Sequence, residues 1–219
     1  MSIAPETTTP QESMAERAYR SLRDRLIMLE IAPGDPINEG EIAADLGFGR
    51  TPIREALKRL ETDHLVISYP RRGTFATIVD IGDLASISEM RRLLEPLAAR
   101  KAALNTRNID RAAFEQTAQA IARFSPSDGR ELLLEYDLLV HRLIYQSTGN
   151  PHLEETLIRL DNLATRIWCL VLGRLPEITE NIREHVDLLE AILDGRPDDA
   201  ERLTSQHIQH FEATIRAAL

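Results

Sequence analysis

Ile42-Ala43-Ala44-Asp45-Leu46-Gly47-Phe48-Gly49-Arg50-Thr51-Pro52-Ile53-Arg54-Glu55-Ala56-Leu57-Lys58-Arg59-Leu60 is the stretch on which the fold turns. Ile42, Ala43 and Leu46 make one apolar face of a short helix, and Gly47 is the residue type that ends one. After three intervening residues, Thr51-Pro52 opens a second helix. Thr51 can cap its free N–H groups, and Pro52 suits a first turn, where no donor is missed. Ile53, Ala56, Leu57 and Leu60 supply that helix's buried stripe. Upstream, Ala18, Leu22, Leu26 and Leu29 recur at helical spacing from Met14 to about Glu30, and Ala32-Pro33-Gly34-Asp35-Pro36 breaks the pattern. Downstream, Leu65–Tyr69 and Thr74–Val79 are β-prone and flank Pro70-Arg71-Arg72-Gly73, which predicts a two-stranded hairpin with a basic tip. Helix, helix, tight turn, helix, hairpin is the order of a winged helix-turn-helix.

Beyond a linker at Asp80–Asp83 the periodicity is helical to the end. Helices are expected near 84–104, 109–124, 128–148, 151–174, 178–194 and 198–217, with breaks at Asn105–Asn108, Ser125–Asp128, Gly149-Asn150-Pro151, Leu175-Pro176 and Gly195-Arg196-Pro197. Pro96 should kink the first of them or leave one carbonyl unpaired. The predicted fold is therefore mainly α. A Thr/Pro-rich, disordered tail (1–11) precedes a winged helix-turn-helix (12–80) and an all-α bundle of six to seven helices (81–219).

Composition narrows the class. Apolar residues at 43% and charged residues at 28% of 219 describe an ordinary soluble protein, and 5% aromatics favour helices packed through Leu, Ile and Ala. One cysteine, Cys169, excludes an intrachain disulfide framework and points to a reducing compartment. No apolar run approaches the ~18 residues of a membrane span. Met1–Gln11 lacks the basic start and apolar stretch of a signal peptide, so a cytoplasmic location without membrane contact is expected.

The net charge of −9 repels nucleic acid, but its distribution matters more. Residues 50–72 carry six cations (Arg50, Arg54, Lys58, Arg59, Arg71, Arg72) against Glu55, Glu61 and Asp63. In a helix-turn-helix the second helix enters the major groove N-terminus first. Here that end presents Arg50, Thr51, Ile53 and Arg54. Arginine suits bidentate contact with guanine, worth roughly 1–3 kcal/mol of discrimination. Thr51 and the helix N-terminus can hold a phosphate. Arg71 and Arg72 beside Gly73 would lie along the minor groove or the backbone. The plainer alternative is a solvated basic face with i,i+4 pairing to Glu55 and Glu61.

Residues 18–79 resemble the DNA-binding domain of the GntR family of bacterial transcription regulators. The resemblance rests on Pro33-Gly34, Ile42–Gly47, Arg50–Leu57, Arg59-Leu60-Glu61 and the Pro70–Gly73 tip. It implies that Arg50, Thr51 and Arg54 contact double-stranded operator DNA and that the wing reaches the minor groove. Two positions depart from the family pattern. Gly49 stands where Ser or Thr is usual, and His64 where Gly is frequent.

Asp137 and His141 lie four apart on one helix, with His185 and His207 on the next-to-last and last helices. One carboxylate with neutral imidazoles suits a divalent ion: Zn²⁺, Ni²⁺, Mn²⁺ or Fe²⁺. His210 competes for the place of His207, and His152 reads as an exposed helix start. Isolated histidines in helices are ordinarily surface or satisfied core, and that alternative stays open on spacing alone.

Residues 84–217 resemble the all-helical FCD effector domain of the FadR-type branch of GntR regulators. The matching stretches are Glu89–Glu95, Asp137–His141, Gly149-Asn150, Glu184-His185, Ala191-Ile192 and His207. In metal-binding members one Asp and three His hold the ion in this order, which implies Asp137, His141, His185 and His207. Open positions on the ion suit a small carboxylate effector. Arg91 stands at the family position facing this site and would clamp a second carboxylate, unless it bridges to Glu95 or another partner. Arg166 and Asn150 are further candidates for effector contact, although capping of the helix at Pro151 ranks first for Asn150. Trp168 reads as core.

The expected protein is a homodimeric regulator, a repressor in the first instance, reading an inverted repeat. Effector binding at the metal would shift the relative placement of the two DNA-reading heads. Two alternatives remain: a metal-dependent, hydrolase-like enzyme, or a constitutive DNA binder with a structural metal. Against the enzyme stand the lack of H-E-x-x-H, of a nucleophile elbow and of a free general base. Glu184, adjacent to His185, points about 100° away from it on a helix and is badly placed for the same ion.

Overall fold

The computed structural model describes residues 13–107, 109–175 and 178–218, so the Thr/Pro-rich tail, Asn108 and Pro176 lie outside the described residues. Two compact units divide the chain, one running through Ile78 and the other starting at Val79.

The first unit contains α1 (Met14–Ile27), β1 (Pro36–Ile37), α2 (Glu39–Leu46), α3 (Arg50–Thr62), β2 (Val66–Tyr69) and β3 (Gly73–Ala76). Ala18, Leu22 and Leu26 of α1 and Ile53, Ala56 and Leu60 of α3 are wholly buried. Each large aliphatic chain so buried contributes about 1.5–3 kcal/mol. Tyr19 ties the two helices: its hydroxyl donates to Asp63 Oδ2 at 2.7 Å, and the Arg59 guanidinium lies 3.9 Å above its ring. Burial and the Asp63 bond push the Tyr19 hydroxyl up to about 12.

Three expectations are corrected here. Helix α1 stops at Ile27 rather than near Glu30, because the chain turns left-handed at Leu29 (φ 58°). Pro36, assigned to a turn, belongs to an edge strand: β1 pairs with β3 (Pro36 opposite Phe75), so the sheet has three strands in the order β1-β3-β2. An edge strand tolerates the missing N–H of proline. The second hairpin strand ends at Ala76 rather than Val79.

Among the described residues the second unit holds α4 (Leu84–Leu104), α5 (Arg111–Ile121), α6 (Arg130–Gln146), α7 (Pro151–Val171), α8 (Thr179–Leu193) and α9 (Pro197–Ala218), six helices as the periodicity predicts. A single 3₁₀ turn, Ile81–Asp83, leads into α4, with Asp80 accepting from the Gly82 amide. Helix α4 packs along α9 and against α7, α8 and α6. Pro96 sits inside α4 without ending it, and its missing N–H removes the helical donor to the Arg92 carbonyl. None of the described helices is long and apolar enough to cross a membrane.

Candidate functional site

Gly47, left-handed at φ 67°, ends α2, and Gly49 is the N-cap of α3 with no side-chain cap bond. Thr51 therefore does not cap α3 as expected. The helix starts one residue before it, and the extended Gly49 (ψ 165°) takes the cap position. The first turn of α3 thus has no capping side chain to accept from its amides, the condition for anion binding. Arg50, Thr51 and Arg54 are exposed, while Ile53, Ala56, Leu57 and Leu60 point inward. Arg54 is engaged: its Nε donates to Glu39 Oε2 at 2.7 Å.

The wing tip is a tight turn in which the Arg72 amide donates to the Tyr69 carbonyl at 3.1 Å. Pro70 sets the turn, and Arg71 occupies the next position at φ 63°, where glycine is the unstrained choice. Arg71, Arg72 and Gly73 are all exposed. Glu61 Oε1 accepts from the Ser68 amide at 2.8 Å and fastens β2 to α3. His64 has φ 61°, which explains why glycine suits that position between α3 and β2.

In the helical unit, Asp137 and His141 of α6, His185 of α8 and His207 of α9 are all at most 3% exposed. They bring one ligand-type atom each within 4.8 Å of one another. Asp137 Oδ1 lies 3.9 Å from His141 Nε2 and 3.7 Å from His185 Nε2. Donors each about 2.1 Å from a common ion stand roughly 3–4.2 Å apart, so the set has the right span.

The outer nitrogens carry the argument further. His185 Nδ1–H donates to the Ile182 carbonyl at 3.0 Å and His207 Nδ1–H to Glu184 Oε2 at 3.1 Å. His141 Nδ1 lies 3.2 Å from the Tyr145 hydroxyl. Meanwhile Asp137 Oδ1 and the Nε2 atoms of His141, His185 and His207 are buried with no hydrogen-bond partner. Buried polar atoms are rarely left so, and this is the arrangement that holds metal-ligating imidazoles in place. Burial, with His207 and His141 beside it, keeps the His185 imidazole well below its ordinary pKa and therefore neutral. His210 points away, 60% exposed and bonded to Glu184 Oε1, and His152 is exposed at the start of α7.

Arg91 is buried and paired with Glu95, with Nη2 3.6 Å from Asp161 Oδ1 and its guanidinium 4.9 Å from the Phe211 ring centre. Burial raises the Glu95 carboxyl, but Arg91 outweighs it and leaves the group lowered; at Asp161 burial wins and the group is raised. Asn150 caps α7, its Oδ1 accepting from the Leu153 amide at 3.3 Å. Arg166 is buried, its pKa lowered by burial to about 10, and the neighbouring Cys169 thiol is pushed up to about 12 by the same cause. Trp168 is core, edge-on to Phe211 at 4.8 Å.

Sequence reasoning missed Glu95 as a buried group, Asp161 altogether, and the role of Glu184 as the acceptor for His207. The i,i+4 spacing of Arg91 and Glu95 was the signal for the first. Asp161 carried none.

An uncapped, basic helix start beside a basic wing defines a sequence-reading DNA-binding protein, here joined to an all-helical unit with a buried polar site. Residues 14–76 match the family described as bacterial regulatory proteins, gntR family, and residues 86–210 match the FCD domain. The HTH-type transcriptional repressor RspR of Escherichia coli K12 is 26% identical over 94% of this chain and 91% of its own length. The probable D-xylose utilization operon transcriptional repressor of Paenarthrobacter nicotinovorans is 30% identical over 87% of this chain and 85% of its own. Among solved structures, E. coli McbR/YncC has the same fold at a TM-score of 0.81 with 21% identity, covering 94% of this chain and 99% of that one. The chain belongs to the GntR family of bacterial transcription regulators, in the branch that carries an FCD domain. It is a regulator and not an enzyme, and proteins of this family bind operator DNA through the winged unit.

Proposed function

We propose that this regulator is a repressor whose operator affinity is controlled by a small organic acid bound at a divalent metal ion in the helical domain (81–219). The observation that carries the reading is the convergence of four partnerless buried atoms, Asp137 Oδ1 and the Nε2 atoms of His141, His185 and His207. These four would hold the ion: Zn²⁺, Ni²⁺, Mn²⁺ or Fe²⁺. The ion supplies charge and orientation for a carboxylate. The chain's own part is to aim three imidazoles, through Ile182, Glu184 and Tyr145, while burial keeps that of His185 neutral. Arg91, Asn150 and Arg166 remain the residues proposed for effector contact, with Arg91 acting from within its pair with Glu95.

In the winged domain (12–80), Arg50, Thr51 and Arg54 are the proposed base and phosphate contacts, with Arg71, Arg72 and Gly73 following the groove or backbone beside them. A homodimer on an inverted repeat is part of the same reading. Its support is the outer face of α4, where Met90, Leu93, Leu97 and Leu104 are 44–67% exposed at helical spacing. Antiparallel apposition of two copies of α4 sets Leu93 against Leu97 and Glu89 against Lys101, a self-complementary arrangement. Leu93→Glu should give monomers in light scattering.

Elemental analysis tests the metal. About one equivalent per chain, lost in a His185→Ala/His207→Ala variant, supports the site, and no uptake of divalent ions removes it. An operator affinity that changes when an organic acid is added separates a sensor from a constitutive binder with a structural ion.

A further inference from the structure

The outward line of α3 carries one charge of the wrong sign for DNA. At about 100° per residue, Thr51, Glu55, Lys58 and Thr62 stand roughly opposite the buried Ile53, Ala56, Leu57 and Leu60, and all four are exposed. The other ionic side chains flanking this line are engaged. Arg54 is bonded to Glu39, Arg59 to Glu16 with its guanidinium over the Tyr19 ring, and Glu61 to the Ser68 amide. Glu55 has no hydrogen bond or ion pair among the described residues. Its i,i+4 neighbour, Arg59, is taken by Glu16, so Glu55 is not one half of a solvated ion pair on the helix surface.

A bare carboxylate on that line carries a cost when the helix meets DNA. The phosphates repel it, and entry into a groove removes its water. Only a hydrogen-bond donor on a base edge offsets both. In the major groove those donors are the amino groups of cytosine (N4) and adenine (N6). A carboxylate accepts and cannot donate. It is therefore repelled by the O6 and N7 acceptors of guanine and by thymine O4, and adenine sets its N7 acceptor beside the amino group. Cytosine alone presents a donor with no acceptor beside it. Arginines on the same helix attract any phosphate, whereas Glu55 discriminates by exclusion.

We propose that Glu55 is a specificity-determining residue whose carboxylate accepts from cytosine N4 in the major groove. The proposal rests on α3 being the DNA-reading helix, and adds to Arg50, Thr51 and Arg54 a contact of opposite charge.

The test selects binding sequences from a random duplex library with the full chain. Fluorescence anisotropy at one salt concentration then compares the selected duplex with its single-base-pair variants. The wild-type chain should require cytosine at one position of the selected half-site, and any other base there should cost about tenfold or more. Glu55→Gln should move the preference at that position to adenine, which an amide meets at both N6 and N7. Glu55→Ala should accept every base there. All other positions should keep their preferences, and the melting temperature should change little, because the side chain has no partner to lose. A lower melting temperature with all sequences weakened alike would make the residue structural and overturn the inference. So would identical preferences in the three proteins, or a Glu55→Ala chain that binds every sequence more tightly, which would make Glu55 a repulsive charge only. A wild-type chain that enriches no sequence overturns the reading of α3 and this inference with it.

Discussion

His207 donates its Nδ1–H to Glu184 Oε2 at 3.1 Å, joining α8 to α9. That bond decides which edge of the ring faces inward. With Nδ1 protonated, Nε2 keeps a bare lone pair, directed at the atoms of Asp137, His141 and His185. Burial pushes the Glu184 carboxyl up, but hydrogen bonds from His207 and His210 more than offset this and keep it ionised. Glu184→Ala should therefore weaken metal binding about 10–100-fold. His210→Ala, outside the cluster, should change it little. Competition with a colorimetric chelator measures both, and equal effects would refute the assignment.

Arg54 spends the free state bonded to Glu39. Both side chains are at least one-third exposed, so the pair is worth at most about 1 kcal/mol, and DNA can displace it. Arg54→Ala should weaken operator binding by about 1–3 kcal/mol, roughly 5–150-fold. Glu39→Gln should tighten it several-fold by removing a competing carboxylate near the phosphates. Fluorescence anisotropy at one fixed salt concentration reads both, since phosphate contacts make affinity salt-dependent.

The left-handed backbone at His64 costs about 1–2 kcal/mol that glycine does not pay. His64→Gly should raise the melting temperature measured by calorimetry, less the entropy that glycine adds to the unfolded chain. A lower melting temperature would mean that the His64 side chain stabilises the fold by more than the strain costs.

Acid should destabilise the metal-free chain. Folded, His185 stays neutral; unfolded, it takes up a proton near its ordinary value of about 6.5. The unfolded state then binds more protons, so the stability contributed by His185 is complete above about pH 6.5 and is lost as the pH falls toward the folded value. The melting temperature of chelator-treated protein should drop between about pH 7 and 5. His185→Gln should flatten that slope, and added metal should move the loss to lower pH.

Much of this molecule is legible in one dimension because its determinants are local. The stripes Ala18-Leu22-Leu26 and Ile53-Ala56-Leu57-Leu60 announce helices, and all are buried. The glycine break at Gly47 is a left-handed cap. The α6 pair Asp137 and His141 shares a face because 3.6 residues make a turn. Other features are non-local. Strand β1 is two residues long, contains a proline, and exists only through pairing with Phe75 and Thr74. Glu184 points away from the cluster, as helix geometry requires, and serves it by accepting from His207 of α9.

The order of helices and wing and the basic island from Arg50 to Arg72 were settled by the sequence itself, through spacing and turn chemistry, and it was resemblance that singled out the four ligand-type residues. Tertiary structure decided that Gly49 rather than Thr51 heads the reading helix and that Arg91 is tied to Glu95. It also brought the buried Asp161, with a partnerless Oδ2, close to Glu95 and His141. The physical reason is distance. Periodicity fixes which face of a helix a side chain occupies, whereas its hydrogen-bond partner depends on which helix is packed against that face.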